Sequence, residues 1–528
     1  MTIFLKNNSL KFLKYAKFLL LIFFASGCGS GNNNEPVVIN NNSYDNQWFD
    51  GIFLPEINYK NKCINPRIGT NPETNNTYYD VQGTYIDENN FLRSFSNNTY
   101  LWYNEIIDAD PSLHSVENYF ALLKAPHDRF HFTYPTEEWL QISQSGVTTG
   151  YGAIWINLSN RIFVAYTEPN SPATDIAINI ERGDEVIEVD GINVNDAENS
   201  GQVSNALYPP TPNQTHTFLI KKRDSKDNQL VTMTSANITS SPVQSVKTIK
   251  TDTGNVGYFL FNDHIATSEK SIFDAITQLK SNNIVDLILD LRYNSGGYLA
   301  IANQLTYMIA GPTYTAGKSF ETMKFNDKHL ATNPITNEPI QAIPFYTKTI
   351  GLSSMDSNTD LPFLNLNLGE NGYPRVFILT GNDTCSASES IINSLLGINI
   401  EVIQIGSVTC GKPYGFYPMD NCGTTYFTIQ FKGINSIGFG DYSDGFKPRT
   451  SSLEANMPLG CIVEEDVQKL LGSIDENRFS AALHYRNTGS CPNNSLSRSI
   501  MNINSTNNKY KKINKLKIAL LIILMKKS

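Results

Sequence analysis

Asp290-Leu291-Arg292-Tyr293-Asn294-Ser295-Gly296-Gly297 closes a run, Val285 to Leu291, whose reading decides the fold of this 528-residue chain. The run is rich in Val, Leu and Ile, as a strand buried on both faces of a sheet is. Paired glycines then turn the chain, and a helical stretch from Leu299 to Ile309 follows. Further on, Val376 to Leu379 reads as a strand, Ala387 to Leu396 as a helix and Glu401 to Ile405 as a strand. Strands alternating with helices imply an α/β core with crossover connections. Gly296 and Gly297 let the backbone approach a ligand closely. An amide there can stabilise an oxyanion, although the turn is equally explained as a plain strand-to-helix connection.

Working outward, Thr384-Cys385-Ser386-Ala387-Ser388-Glu389 lies between the second strand and the apolar helix. Ser386 with Glu389 three residues on is a capping box, in which the hydroxyl accepts a first-turn amide and the carboxylate reaches back. That alone is a complete structural explanation. A serine at a helix start also sits beside unpaired amides and a partial positive charge. An oxyanion formed there gains from both, with the amide of Ala387 as the natural donor. A hydroxyl nucleophile needs a base. The next strand runs into Gly406-Ser407-Val408-Thr409-Cys410-Gly411-Lys412, 26 residues beyond Ser386. A strand–helix–strand unit returns both strand ends to one edge of the sheet, so Lys412 is placed to reach Ser386. Its amine must be neutral to act, which burial promotes. An exposed loop charge is the plain alternative.

Upstream, apolar residues recur at helical intervals between about 80 and 145, notably Phe91, Leu92, Phe95, Leu101 and Trp102. From about 148 to 245 short β-like runs take over, broken by turns such as Asp190-Gly191. At the start, Lys6, Lys11, Lys14 and Lys17 precede the apolar run Phe18 to Phe24 and the sequence Ala25-Ser26-Gly27-Cys28. This is a secretory signal, too short to span a bilayer. Cys28 after small residues resembles the bacterial lipobox, in which the thiol is acylated and tethers the chain to a membrane. At the other end, Lys509 to Lys517 is basic and Ile518 to Met525 apolar, a tail too short to cross a membrane.

The net charge of −9, without a basic block in the central region, argues against a nucleic-acid partner. Six cysteines remain besides Cys28: Cys63, Cys385, Cys410, Cys422, Cys461 and Cys491. An even number outside the cytoplasm suggests disulfides. Their spacing fits no zinc pattern, and neither a metal nor a cofactor is expected. The histidines are scattered; His127 and His131, around Asp128-Arg129, read as structural. No Gly-x-Ser-x-Gly motif surrounds Ser386, which argues against an esterase-type triad.

Asp-Leu-Arg-x-Asn-x-Gly-Gly, then Ser-Ala-Ser-Glu, then Gly-x-x-Thr-x-Gly-Lys, in this order, resembles the C-terminal processing (tail-specific) serine peptidases. Upstream, Gly150-Tyr151-Gly152-Ala153, Asn170-Ser171-Pro172-Ala173 and Arg182-Gly183-Asp184 resemble the PDZ domain those enzymes carry. The likeness covers about 85 to 480. It implies an α/β multidomain chain: a small helical N-terminal domain, a PDZ-like β-rich domain and a crotonase-like α/β spiral protease core. The expected boundaries are a signal peptide at 1–27, a lipidated linker at 28–78, the helical domain at 79–146, the PDZ-like domain at 147–245, the peptidase core at 246–490 and a tail at 491–528.

The resemblance makes Ser386 the nucleophile and Lys412 the general base, with Ala387 and one of the Gly296 and Gly297 amides as the oxyanion hole. Gly150, Tyr151, Gly152 and Ala153 become the loop that binds a peptide C-terminus. Substrates are polypeptides, and the expected location is the bacterial cell envelope, with the lipid on Cys28 holding the protein to the outer membrane. Many members place Gln or Glu one helical turn after the lysine, where this chain has Phe416. Thr409, Tyr414 and Tyr417 are the nearby candidates to orient the amine. Phe416 also motivates the alternative of a catalytically inactive, peptide-binding scaffold. If Ser386 and Lys412 meet, the neighbouring Cys385 and Cys410 are close enough to pair as a disulfide bracing the site.

Overall fold

Two antiparallel strands, β6 (Val243–Thr251) and β7 (Gly254–Phe261), begin the central sheet of the computed structural model. The structure describes residues 47–71, 74–196, 200–352, 354–449, 454, 456–492 and the backbone of 521–522. The expected signal sequence and Cys28, and the basic part of the tail, lie outside the described residues. Among the described residues, no helix is long and apolar enough to cross a membrane.

Before the central sheet come α1 (Tyr85–Thr99) and α2 (Val116–Leu122), joined through a small core of Phe91, Leu92, Phe95, Tyr119 and Phe120. Thr84 and Asp87 form a reciprocal capping box that starts α1. This part is not purely helical. Phe132–Pro135 is a strand paired antiparallel with Thr424–Phe427, and Cys63 is disulfide-bonded to Cys422. Both links cross hundreds of residues, so the amino-terminal elements are built onto the later core.

Next is an antiparallel sheet of β1 (Ala153–Leu158), β2 (Arg161–Thr167), β3 (Glu185–Val189), β4 (Thr215–Lys221) and β5 (Asn228–Thr234), in the order β5-β4-β3-β2-β1. With α3 (Ser200–Leu207) it encloses its own core around Trp155, Val164, Phe218 and Met233. Asp190-Gly191 turns the chain between β3 and Ile192–Asn193 as its Asp-Gly pattern predicts.

The central sheet then adds parallel strands β8 (Ile284–Asp290), β9 (Arg375–Thr380), β10 (Glu401–Gly406) and β11 (Leu459–Ile462), in the order β6-β7-β8-β9-β10-β11. Helices α4 (Ser268–Ser281), α5 (Leu299–Thr315), α6 (Ala387–Gly397) and α7 (Asn477–Thr488) cover it. Helix α5 outruns its predicted end and is broken at Gly311, just before Pro312. The sheet begins at Val243, so β6 starts ahead of the core boundary expected at 246.

Two charges interrupt the apolar run of β8, and both are compensated. Asp286 pairs with Arg375 and Arg486, and Asp290 accepts from Tyr258 Oη (2.8 Å) and Arg292 Nε (2.9 Å). Arg292 is fully buried and also reaches both oxygens of Glu476 at 2.8 and 2.9 Å. Removing one partner from such a network leaves an unpaired buried charge, which costs about 3–5 kcal/mol. The network fixes the turn at the end of β8, where the functional residues begin.

Candidate active site

Strand β9 ends at Thr380, and the loop after it delivers Ser386 to the start of α6. Ser386 adopts φ 57°, ψ −116°, a conformation that costs a non-glycine residue of order 1–3 kcal/mol. Thus a strained strand-to-helix turn forms here without the flanking glycine motif. Only half of the predicted capping box is made. Glu389 Oε2 accepts from Ser386 N at 2.9 Å, but Ser386 makes no side-chain cap bond, and its buried Oγ has no hydrogen-bond partner among the described residues. A residue present only to cap a helix would use its hydroxyl. This one holds it in reserve.

Glu389 connects the serine to the lysine. It is fully buried, and its Oε2 also accepts from Lys412 N at 2.8 Å. Its Oε1 accepts from Gly411 N at 2.8 Å and from Thr409 Oγ1 at 2.5 Å. Burial raises the Glu389 carboxyl above its ordinary range, while these donors pull the other way. Cys410 N donates to Thr384 O at 3.0 Å, and Cys385 and Cys410 are joined as a disulfide with Cα atoms 5.1 Å apart. The loops carrying Ser386 and Lys412 are therefore held side by side by a carboxylate, a backbone bond and a covalent bond.

The Lys412 side chain is wholly buried. Its Nζ lies 4.1 Å from the ring centroid of Phe416 and 5.0 Å from that of Phe130. Burial brings the ammonium down to about 7, against the attraction first of Asp128 and then of Glu389. An amine with that value is poised to exchange a proton near neutral pH. Phe416 is thus a wall of the lysine pocket. Thr409 serves Glu389, Tyr417 Oη accepts from Asn333 Nδ2 at 2.8 Å, and Tyr414 stacks edge-on against Trp102.

Residues 255–416, which include both Ser386 and Lys412, match the model of peptidase family S41. That stretch is an S41-like peptidase domain. A carboxyl-terminal-processing protease of Picosynechococcus sp. (strain ATCC 27264 / PCC 7002 / PR-6) is 29% identical over 196 residues. That alignment covers 36% of this chain and 45% of the relative, less than half its length. The crystal structure of a putative S41 protease from Bacteroides fragilis NCTC 9343 superposes with a TM-score of 0.54 at 21% identity. It covers 76% of this chain and 97% of that one, so the fold is shared over most of the described residues.

In the S41-like domain the Asp290–Gly297 turn packs directly on the serine loop. Asn294 organises it: its Oδ1 accepts from Gly296 N (2.9 Å), its Nδ2 donates to Phe261 O (2.9 Å), and its carbonyl accepts from Cys385 N (3.1 Å) and Ser388 Oγ (3.0 Å). The His264 Nδ1 contact to the same Oδ1, at 2.9 Å, makes that nitrogen the protonated one. The Gly296 amide is therefore spent on Asn294. Gly296 instead supplies space: with φ 98°, a methyl there would lie 2.9 Å from both Ala387 N and Ser386 Cβ. Of the two glycines proposed from sequence, Gly297 is the one whose amide is not given to Asn294.

The loop proposed to bind peptide ends lies beside the β1–β5 sheet. Gly150 ends a strand paired with Ala236–Thr239, and Gly152 turns with φ 80°. Tyr151 is buried and donates to Ala206 O at 3.0 Å, and Ala153 opens β1, an edge strand. Trp155 Nε1 donates to Leu207 O at 3.1 Å, so two aromatic side chains tie this edge to the end of α3. The sheet docks on the S41-like domain through Arg182, whose Nη1 donates to Tyr293 Oη at 2.6 Å, within the Asp290–Gly297 turn.

Sequence reasoning passed over Asp128, Arg129 and Phe130, noting only the histidines around them. Arg129 Nη2 donates to Cys410 O at 2.5 Å, and Phe130 faces the Lys412 amine. His131 is buried against Phe120 O, with burial lowering its pKa to about 4. A compact Asp-Arg-Phe between two elements carries no periodic signal. Only the tertiary contact, some 280 residues away in sequence, reveals its place.

Proposed function

We propose that this chain is a serine endopeptidase with Ser386 as nucleophile and Lys412 as general base. The observation that carries this reading is a buried hydroxyl on a strained helix-start turn, without a hydrogen-bond partner among the described residues, its loop joined through Glu389 to that of a buried lysine. In the proposed reaction, neutral Lys412 takes the Ser386 proton as Oγ attacks the scissile carbonyl carbon. The Ala387 and Gly297 amides receive the oxyanion. Collapse breaks the C–N bond, and the Lys412 ammonium returns its proton to the departing amine. Water, deprotonated by Lys412, then attacks the acyl carbon, the ester C–O bond breaks, and the Lys412 ammonium returns the proton to Ser386 Oγ.

The substrate class follows from the same cleft. The backbone of Leu521–Ile522 pairs in parallel with Gly297–Tyr298, so this edge accommodates an extended chain as an added strand. A polypeptide is the natural ligand of such an edge. The β1–β5 sheet and α3 have the edge-strand-beside-helix layout of a PDZ domain, which supports recognition of C-terminal segments through Gly150–Ala153. The core is proposed to be crotonase-like, and the signal-like sequence with Cys28 supports a lipid-anchored location in the bacterial envelope.

The test is cleavage of an unfolded protein by the purified chain and by Ser386→Ala and Lys412→Ala. Each variant is expected to lose at least about 10⁴-fold in kcat with its fold intact. Full activity in either rejects the assignment. The scaffold reading, motivated by Phe416, predicts peptide binding without cleavage and without labelling of Ser386 by a fluorophosphonate.

A further inference from the structure

We propose that Asp128 is the positioning residue of the Lys412 amine, supplied from the amino-terminal part of the chain and occupying the role that a polar residue at position 416 would otherwise fill. The inference rests on the peptidase reading above and adds to it a residue outside the 255–416 match.

Three consecutive residues form the contact. Asp128 is buried (3% exposed), with Oδ1 accepting from Phe130 N at 2.7 Å and Oδ2 from Tyr100 Oη at 2.8 Å. Tyr100 Oη in turn accepts from Ala125 N at 2.9 Å. Each carboxylate oxygen thus has a fixed donor and retains a lone pair for a further charge. Arg129 spans to the carbonyls of Cys410 and Gly411, at 2.5 and 3.4 Å, fixing the segment on the lysine loop. Phe130 then lays its ring 5.0 Å from Nζ. The carboxylate is held in place, because each of its oxygens accepts a hydrogen bond.

The chemistry needs a countercharge here. When Lys412 accepts the serine proton, a cation forms in a pocket walled by Phe130 and Phe416. Ring faces attract a cation weakly compared with a full negative charge. Glu389, the other carboxylate acting on this amine, is committed to amides and a hydroxyl. Asp128 exerts the larger attraction of the two. Its part is that of the third member of a triad: it touches no substrate, orients the base and stabilises its protonated form.

The other charged groups nearby are otherwise occupied. Arg129 is held by carbonyls, Lys124 Nζ donates to the Asp128 carbonyl at 3.1 Å, and His131 is neutral in its buried site. Tyr100 and Tyr414 are both raised, chiefly by burial. Across the loop, Asp441 pairs with Lys432, while Asp444 acts on Tyr414.

The experiment is the pH profile of kcat/KM for unfolded-protein cleavage by wild type, Asp128→Asn and Asp128→Glu. The Lys412 amine is also titrated by NMR of ε-¹³C-labelled lysine in the Ser386→Ala background, with its resonance assigned by Lys412→Arg. Without the negative charge the ammonium is less stable. The acid limb of Asp128→Asn is expected to move down by about one pH unit or more. Its kcat should fall about 10- to 100-fold at unchanged KM, and Asp128→Glu should restore part of both. Should Asp128→Asn not fold, Asp128→Ser carries the same expectation. An unmoved acid limb overturns the proposal even if the rate drops, since that is what a purely structural residue gives. A wild type that cleaves nothing rejects the peptidase reading. The titration then still decides, and an amine with the same midpoint with and without the Asp128 charge overturns the link.

Discussion

Ser386 and Lys412 both donate their backbone amides to a single oxygen, Oε2 of Glu389, at 2.9 and 2.8 Å. Two residues 26 apart in sequence are thereby held with their nitrogens within about 6 Å of each other. One side chain thereby links the proposed nucleophile to the proposed base.

Replacing Glu389 by Gln exchanges an all-acceptor group for one that carries donors, facing four donors in a sealed site. At least one buried donor is left unsatisfied, which costs about 1–3 kcal/mol. A displacement near 1 Å between reacting groups is worth about 100-fold in rate. Glu389→Gln is expected to melt earlier and to lose about 100-fold in kcat. Differential scanning calorimetry with a cleavage assay measures both, and wild-type values in the two would remove Glu389 from this role.

As the proposed base, Lys412 acts only when uncharged, and burial brings its amine down to about 7. Peptidase activity is therefore expected to rise as pH increases through about 7 and to level off above it. An ordinary exposed lysine would place that rise near pH 10. A kcat/KM profile from pH 5 to 10 distinguishes the two, and a midpoint near 10 would contradict the burial argument.

Gly296→Ala adds a methyl 2.8 Å from Cys385 O and 2.9 Å from Ala387 N, at a backbone φ of 98°. The obstacles are backbone atoms, which cannot rotate away. The variant is expected to lose about 100-fold or more in kcat through a disturbed oxyanion site. Single-turnover kinetics of acyl-enzyme formation reports the affected step, and an undiminished rate would show that this face of the turn plays no part.

Glu321 provides a stability prediction with a defined sign. It is 2% exposed, and burial has raised its carboxyl to about 8, against a hydrogen bond from Ser390 Oγ at 3.2 Å. Below the ordinary glutamate range it is protonated in folded and unfolded chains alike. As pH rises, the unfolded chain releases the proton first, so stability declines until about pH 8. Between pH 4.5 and 7 this contribution is about 3 kcal/mol. Glu321→Gln is expected to flatten that decline in urea denaturation at several pH values. An equal slope in variant and wild type would contradict it.

The alternation of strands and helices from Val285 to Ile405 was legible because burial on both faces leaves an unmistakable apolar texture. The side-by-side placing of the Ser386 and Lys412 loops was legible as topology, since a strand–helix–strand unit returns to the same edge. Three things were not. Which glycine gives its amide depends on where the Asn294 side chain turns, a rotamer that no spacing encodes. Whether Ser386 caps its helix or withholds its hydroxyl depends on a φ of 57°. The Asp128–Phe130 contact joins segments too far apart for any local pattern to link.

The strand Phe132–Pro135, the Cys63–Cys422 bond and the Arg129 bridge together mean that the stretch identifiable by kinship is smaller than the machine. An excised 255–416 fragment would keep both reactive side chains yet open the lysine's pocket to water from one side. The amine would regain its charge, and the fragment would lack its proposed base. Inheritance and competence have different borders in this molecule.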